Sequence, residues 1–255
     1  MRARAAAAAL IAAGITVSAA GCAHAEGSAS RDTPRPAAST PPPHTAPLKV
    51  VTGVTGAERA ARAGPRPGQM VVVSAPAYGA TYAALTAYRR AAGRWVRMFG
   101  PWTARIGSAG MAPPGGKREG DGRTPSGTFG FSFVFGALPD PGVAFRYRQA
   151  HPYDVWDDDP ASPLYNEWVD DRYRDPGAAP EPMDVSGYDY GAVIAYNTAR
   201  TRGLGSAIFL HVNIGTATTG CITLPMGRLL DVLRWLRPAQ SPRIELGVRA
   251  GPPGG

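Results

Sequence analysis

The sequence is poor in the residues that would build a metal centre, a disulfide framework or a nucleic-acid face. It holds two cysteines, Cys22 and Cys221, and four histidines, of which only His151 and His211 lie beyond residue 44. One cysteine and two distant histidines make no ligand cluster, so no metal is expected. Lysine is nearly missing: Lys49 and Lys117 are the only two, so the other 25 of the 27 basic residues are arginines. Against 19 acidic residues the net charge is +8, yet there is no arginine-rich run and no basic motif studded with aromatics. Nucleic acid is therefore not an expected partner. A Gly-x-Ser-x-Gly elbow is also lacking, which argues against a serine hydrolase built on one. What is plentiful is Gly (32) and Pro (26), in a chain that is 44% hydrophobic. Such a chain has a real core and many turns, and an all-helical bundle is disfavoured.

The N-terminus reads as an export signal. Arg2 and Arg4 precede an apolar run from Ala5 to Ala20, too short and too alanine-rich for a spanning helix. Two processing readings compete. Ala19-Ala20-Gly21-Cys22 resembles a lipobox, which would make Cys22 the lipid-carrying first residue of a lipoprotein anchored in the membrane; Ala23-His24-Ala25 satisfies the rule for ordinary signal peptidase. The lipobox is preferred, because a signal has no other use for a cysteine directly after Ala-Gly. The expected organisation is a signal over residues 1–22, a Pro/Ser/Thr/Ala-rich linker over 23–68 and a folded domain over 69–249. Residues 57–68 read as a short helix or as more linker. With Cys22 lipidated or removed, Cys221 is left without an internal disulfide partner. A lone cysteine is by default a small buried hydrophobe, so its surroundings must decide.

Beyond Gln69 the pattern is mostly that of strands. Runs at Met70–Ala75, Tyr82–Arg90, Trp95–Phe99, Ala104–Gly107, Phe129–Phe135, Phe145–Tyr147, Ala192–Tyr196, Ala207–Val212 and Arg243–Val248 carry the expected residue types. Ala91-Ala92-Gly93 marks a hairpin. One helix is predicted from Met226, Leu229, Leu230, Leu233 and Leu236, with Pro225 suited to its first turn. The fold class expected is mainly β, sandwich- or barrel-like, with one or two helices.

An apolar strand ends in His211; the loop Asn213–Thr219 follows, and Gly220-Cys221 precedes a further apolar stretch. A thiol nucleophile needs a base and backbone N–H groups facing the developing oxyanion. His211 can be the base, and Thr218, Thr219 and Gly220 can supply the donors. His211 taken alone reads equally as a satisfied strand-end histidine. His211 followed by Thr219-Gly220-Cys221-Ile222 resembles the signature of the L,D-transpeptidase (YkuD-type) catalytic domain. The upstream Gly120-Asp121-Gly122-Arg123-Thr124-Pro125-Ser126-Gly127-Thr128-Phe129 resembles a second element of that domain. Two ordered matches over roughly residues 70–248 are far more specific than either alone. The sequence departs from better-studied members in three ways: Thr219 stands where a second histidine is frequent, the His-to-Cys gap is shorter, and Thr223 stands where Arg or Asn is common.

The resemblance implies a mechanism and a partner. Cys221 attacks the carbonyl after the third, diamino-acid residue of a peptidoglycan tetrapeptide stem, releasing D-Ala and leaving a thioester. The side-chain amine of a neighbouring stem resolves the thioester into a cross-link, with His211 handling the protons. No metal or organic cofactor is implied; sensitivity to carbapenems and a place at the outer face of the cytoplasmic membrane or in the cell wall are. Two rival readings are a carboxypeptidase, in which water resolves the thioester, and a wall-binding lipoprotein with a dead dyad. A carbonyl at Val212 or Asn213 is expected to fix the imidazole tautomer. Tyr196 and Asn197, ending the strand before that of His211, are candidate substrate contacts together with Thr223. Thr124-Pro125-Ser126-Gly127 reads as a structural type I turn. The segment His151–Pro176 mixes Trp156, Trp168 and tyrosines with several aspartates. It reads either as a surface loop with its aromatics tucked onto the sheet or as a cap over the groove whose carboxylates meet ammonium groups.

Overall fold

The computed structural model describes residues 66–173, 177 and 180–254. The expected signal, Cys22 and almost all of the expected linker lie outside the described residues.

The fold is mainly β, as expected. Its first hairpin follows from local chemistry. β1 (Gln69–Ala75) and β2 (Tyr82–Ala91) pair antiparallel, and β3 (Arg94–Arg105) returns through the two-residue turn Ala92-Gly93. Both turn residues have positive φ, 48° and 78°, the twist that suits a tight hairpin. Ala83, Leu85 and Ala87 of β2 point inward at period two, with exposed or half-buried residues between them.

The remaining strands close the sheet on itself. They are β4 (Gly127–Gly136), β5 (Tyr147–Gln149), β9 (Gly191–Ile194), β10 (Phe209–Val212), β11 (Ile222–Leu224) and β12 (Arg243–Val248). The order is β12-β1-β2-β3-β11-β10-β9-β4-β5, and β12 also pairs with β4, so eight strands form a ring with β5 attached outside. β4 achieves the closure by serving two partners. Gly127–Gly130 pairs with β12, and a register shift after Phe131 turns the rest toward β9. The ring is filled by Val71, Val73, Leu85, Ile106, Leu210, Ile222, Leu224, Ile244 and their neighbours. The only α-helix among the described residues, α1 (Met226–Trp235), packs on β9, β10 and β11. It buries Leu229, Val232 and Leu233, with Leu236 just beyond its end, while Met226 is 37% exposed and Leu230 only half-buried. Its inward face is thus rotated from the leucine stripe expected, and Pro225 stands at its N-cap, just outside the first turn.

Part of the segment after His151 forms a second, three-stranded sheet of β6 (Asp154–Asp157), β7 (Glu167–Asp170) and β8 (Glu181–Pro182), ordered β7-β6-β8. It covers the outer face of the ring. Trp156 meets Phe209 edge-on at 5.0 Å, and Trp168 meets Phe135 at 5.6 Å. Its aspartates serve the fold locally. Asp154 accepts from Trp168 Nε1 (2.7 Å) and Arg148 (3.1 Å), and fully buried Asp157 accepts from Ser162 Oγ (2.7 Å).

Candidate active site

β10 and β11 run parallel, with Leu210 opposite Ile222 and His211 opposite Thr223. One step back, Cys221 stands level with Phe209. Alternate residues share a face of a strand, so Cys221, Phe209 and His211 emerge on one side and Leu210, Val212, Ile222 and Leu224 on the other. The second set fills the ring; Phe209 and Cys221 belong to the aromatic cluster on its outer face. The pleat alone therefore delivers base and thiol to one surface. The short link between the two strands is held by Thr218, whose N–H donates to Ile106 O (3.1 Å) and whose carbonyl accepts from Ser108 (2.7 Å).

Cys221 and His211 line one cleft of about 230 Å³ with Glu181, Tyr188, Ile214 and Thr219. His211 is 6% exposed and its Nδ1 lies 3.1 Å from the Gly187 carbonyl. A carbonyl can only accept, so Nδ1 carries the proton and Nε2 the lone pair. The tautomer is thus fixed by the Gly187 carbonyl. Gly187 has φ +97°, and a Cβ there would stand 2.8 Å from Ile214 Cγ2. Burial pulls the imidazole down to about 4, which keeps it neutral at physiological pH.

Cys221 is 4% exposed; its Sγ accepts from the Phe209 N–H (3.3 Å) and donates to the Ala207 carbonyl (3.1 Å). Burial pushes its thiol far up, and the Glu181 carboxylate adds to that. The Phe209 N–H, the Lys117 ammonium and the Tyr188 hydroxyl act in the opposite direction. The resting pair is accordingly a neutral thiol beside a neutral imidazole.

Behind the cysteine lies the second sequence element, and it is no turn. Thr124 forms a bridge with Met111, no turn is formed after it, and β4 begins at Gly127. Fully buried Thr124 accepts from Gly107 N–H (3.0 Å) and donates to the Gly220 carbonyl (2.8 Å). Lys117, 4% exposed, is paired with Asp121 at 2.5 Å. A Cβ on Gly220 would lie 3.0 Å from Arg123 O and 3.6 Å from Lys117 Nζ. Gly220 is therefore needed for packing against this element. Two of the three expected backbone donors are also engaged, Thr218 N–H by Ile106 and Gly220 N–H by Thr218 Oγ1 (3.1 Å).

The other candidates fall elsewhere. β9 is antiparallel to β10, so the residue beside His211 is Gly191, and Tyr196 and Asn197 lie at the far end. Tyr196 lines a separate cavity with Asn166 and Arg200, and the Asn197 side chain donates to Thr201 and Gly205 carbonyls. Thr223 is level with His211 but 1% exposed, its Oγ1 without a hydrogen-bond partner among the described residues, and it does not line the cleft. Sequence reasoning missed Glu181, Tyr188 and Gly187. Tyr188 packs edge-on against His211 at 4.8 Å and its hydroxyl donates to Glu181 Oε1.

No curated protein matches the sequence significantly. Among solved structures, the helical cell shape determining protein Pgp2 from Campylobacter jejuni is similar at 15% identity and a TM-score of 0.37. The match covers 74% of this chain and 50% of that one, so the chain spans about half of Pgp2's length. The model of the L,D-transpeptidase catalytic domain (YkuD) matches residues 84–244, from β2 through the cleft to β12, and the chain belongs to that family.

Proposed function

We propose that the protein is an exported L,D-transpeptidase in which Cys221 is the nucleophile and His211 its base, acting on peptidoglycan stem peptides. The observation that carries this reading is the placement of both side chains on one face of β10–β11, in one cleft, with Nε2 as the free nitrogen of His211. The donor is a tetrapeptide stem. Sγ attacks the carbonyl after its diamino-acid residue while Nε2 takes the thiol proton. The C–N bond to D-Ala then breaks, His211 returns the proton to the leaving amine, and a thioester remains. The acceptor's side-chain amine attacks that thioester, loses its proton to His211, and releases the thiol. Because thiol and imidazole are both neutral at rest, proton transfer accompanies S–C bond formation instead of preceding it. Of the three expected oxyanion donors, the Thr219 N–H is the one without a hydrogen-bond partner among the described residues, and Thr219 lines the cleft.

Incubation of the protein with disaccharide-tetrapeptides, followed by mass spectrometry, tests this. A cross-linked dimer lighter by one D-Ala is expected, absent with Cys221→Ala. Tripeptide without dimer would assign the carboxypeptidase instead, and unchanged substrate would remove the acyl-transfer reading. Export and anchoring through Cys22 are part of the proposal; a fatty-acid probe should label wild type and not Cys22→Ser.

A further inference from the structure

Glu181 has no part in the chemistry of a cysteine–histidine pair, yet it reaches the same cleft from β8, on the covering sheet. It meets the pair through Tyr188. The Tyr188 hydroxyl donates to Glu181 Oε1, and Tyr188 lines the same cleft and belongs to the same buried cluster as Cys221, where its hydroxyl acts on the thiol. A phenol has one proton to give. While Glu181 is a carboxylate, that proton is committed to it, and the phenol turns its lone pairs toward the sulfur while the carboxylate adds a negative charge nearby. When Glu181 is a carboxylic acid, it donates to the phenol oxygen itself. The Tyr188 proton is then free to point at the sulfur, or at the oxyanion that forms beside it.

We propose that Glu181 is a positioning residue whose protonation turns the Tyr188 hydroxyl toward Cys221, so that the acid form of Glu181 is the form competent for acylation. The proposal rests on the acyl-transfer reading above and deepens it. The groups facing Glu181 agree. Burial raises its carboxyl to about 7 even though the Tyr188 hydrogen bond lowers it, and Asp158 and Glu119 raise it by repulsion. Glu119 is itself held by the Tyr165 and Ser206 hydroxyls. Lys117, the buried cation nearest the nucleophile, is paired with Asp121 and acts on Cys221. His211, with its value near 4, stays neutral across the range in which Glu181 titrates.

The consequence is an acylation rate that falls as pH rises, opposite to a simple thiol. Since thiol and imidazole keep their protonation between pH 6 and 8, a single group titrating near 7 lowers the rate about tenfold across that interval. The test is the rate of covalent adduct formation with a carbapenem on the full protein, followed by mass spectrometry at pH 6, 7 and 8. Glu181→Gln should give a flat profile and exceed wild type about tenfold at pH 8, because its amide carries no charge at any pH and can donate to the phenol oxygen as the acid does. Tyr188→Phe keeps the ring packing and loses the hydroxyl; it should be slower than wild type at pH 6 by at least about tenfold and should also lose the pH step. A wild-type rate that is flat or rises with pH overturns the proposal, as does a Glu181→Gln profile that tracks wild type. Failure of wild type to form any adduct would remove the acyl-transfer reading itself, an outcome distinct from these two.

Discussion

Two buried groups in the cleft give stability opposite dependences on pH, and one substitution separates them. His211 has its folded value near 4, below the ordinary 6.5. Between those values the unfolded chain binds more protons, so the contribution of His211 is complete above about 6.5 and is lost as pH falls toward 4. Glu181 has its folded value near 7, above the ordinary 4.5. Here the folded protein binds more protons, so the contribution is complete below about 4.5 and is lost as pH rises toward 7. Each pKa unit corresponds to about 1.4 kcal/mol, so each group carries at most about 3 kcal/mol. From pH 4.5 to 6.5 the two slopes cancel, and wild-type stability should be nearly level. Glu181→Gln removes one slope and leaves the other, so its stability should rise by about 2–3 kcal/mol across that window. Urea unfolding at pH 4.5, 5.5 and 6.5, with the m-value held constant, measures this directly. A Glu181→Gln variant as level as wild type would show that His211 is not held neutral by burial.

Thr124→Val should cost about 2–4 kcal/mol, since it strands both the Gly107 N–H and the Gly220 carbonyl in the interior; Thr124→Ser, which keeps the hydroxyl, should cost far less by the same denaturation assay. Asp121→Asn leaves the Lys117 ammonium buried without its counter-ion and should cost about 3–5 kcal/mol in a thermal melt. Because Asp121 holds its carboxyl below the ordinary value, that contribution should disappear from wild type as pH falls through the acid range. Trp156→Ala empties the contact over Phe209 at a cost of about 3–5 kcal/mol, and should speed alkylation of Cys221 by iodoacetamide, which is expected to be slow at pH 7.5 in wild type.

The ring was legible in the sequence because its strands carry period-two patterns and one face of each must be apolar. The covering sheet was not. Strands of four and two residues that mix Asp154, Asp157, Glu167 and Glu181 with tryptophans show no period, and only the aromatics hinted that they pack onto something. Cys221 and His211 were legible as the lone thiol and a strand-end histidine. Tyr196 and Asn197 went astray for a geometric reason: an antiparallel neighbour brings its beginning, Gly191, to the end of β10. Glu181, Tyr188 and Gly187 sit in a stretch without motif spacing, and only the folded covering sheet brings them to the cleft.

The two sequence elements that resembled the family are separated by about ninety residues, and the fold shows why they belong together. A cysteine at the junction of loop and strand has no helix or ladder of its own to hold its approach, and Gly220 has no side chain with which to pack. The hydroxyl of Thr124 fixes the Gly220 carbonyl, and the Arg123 carbonyl and the Ile208 side chain crowd the space that a side chain there would occupy, with Lys117 just beyond. The same lysine places a positive charge behind the sulfur, while Glu181 faces it across the cleft with a negative one, and the two act on the thiol in opposite directions. Lys117 is locked in its pair with Asp121, whereas Glu181 titrates near 7. The balance at Cys221 is therefore set from the covering sheet: protonation of Glu181 removes the one carboxylate that raises the thiol, while the Lys117–Asp121 pair stays as it is.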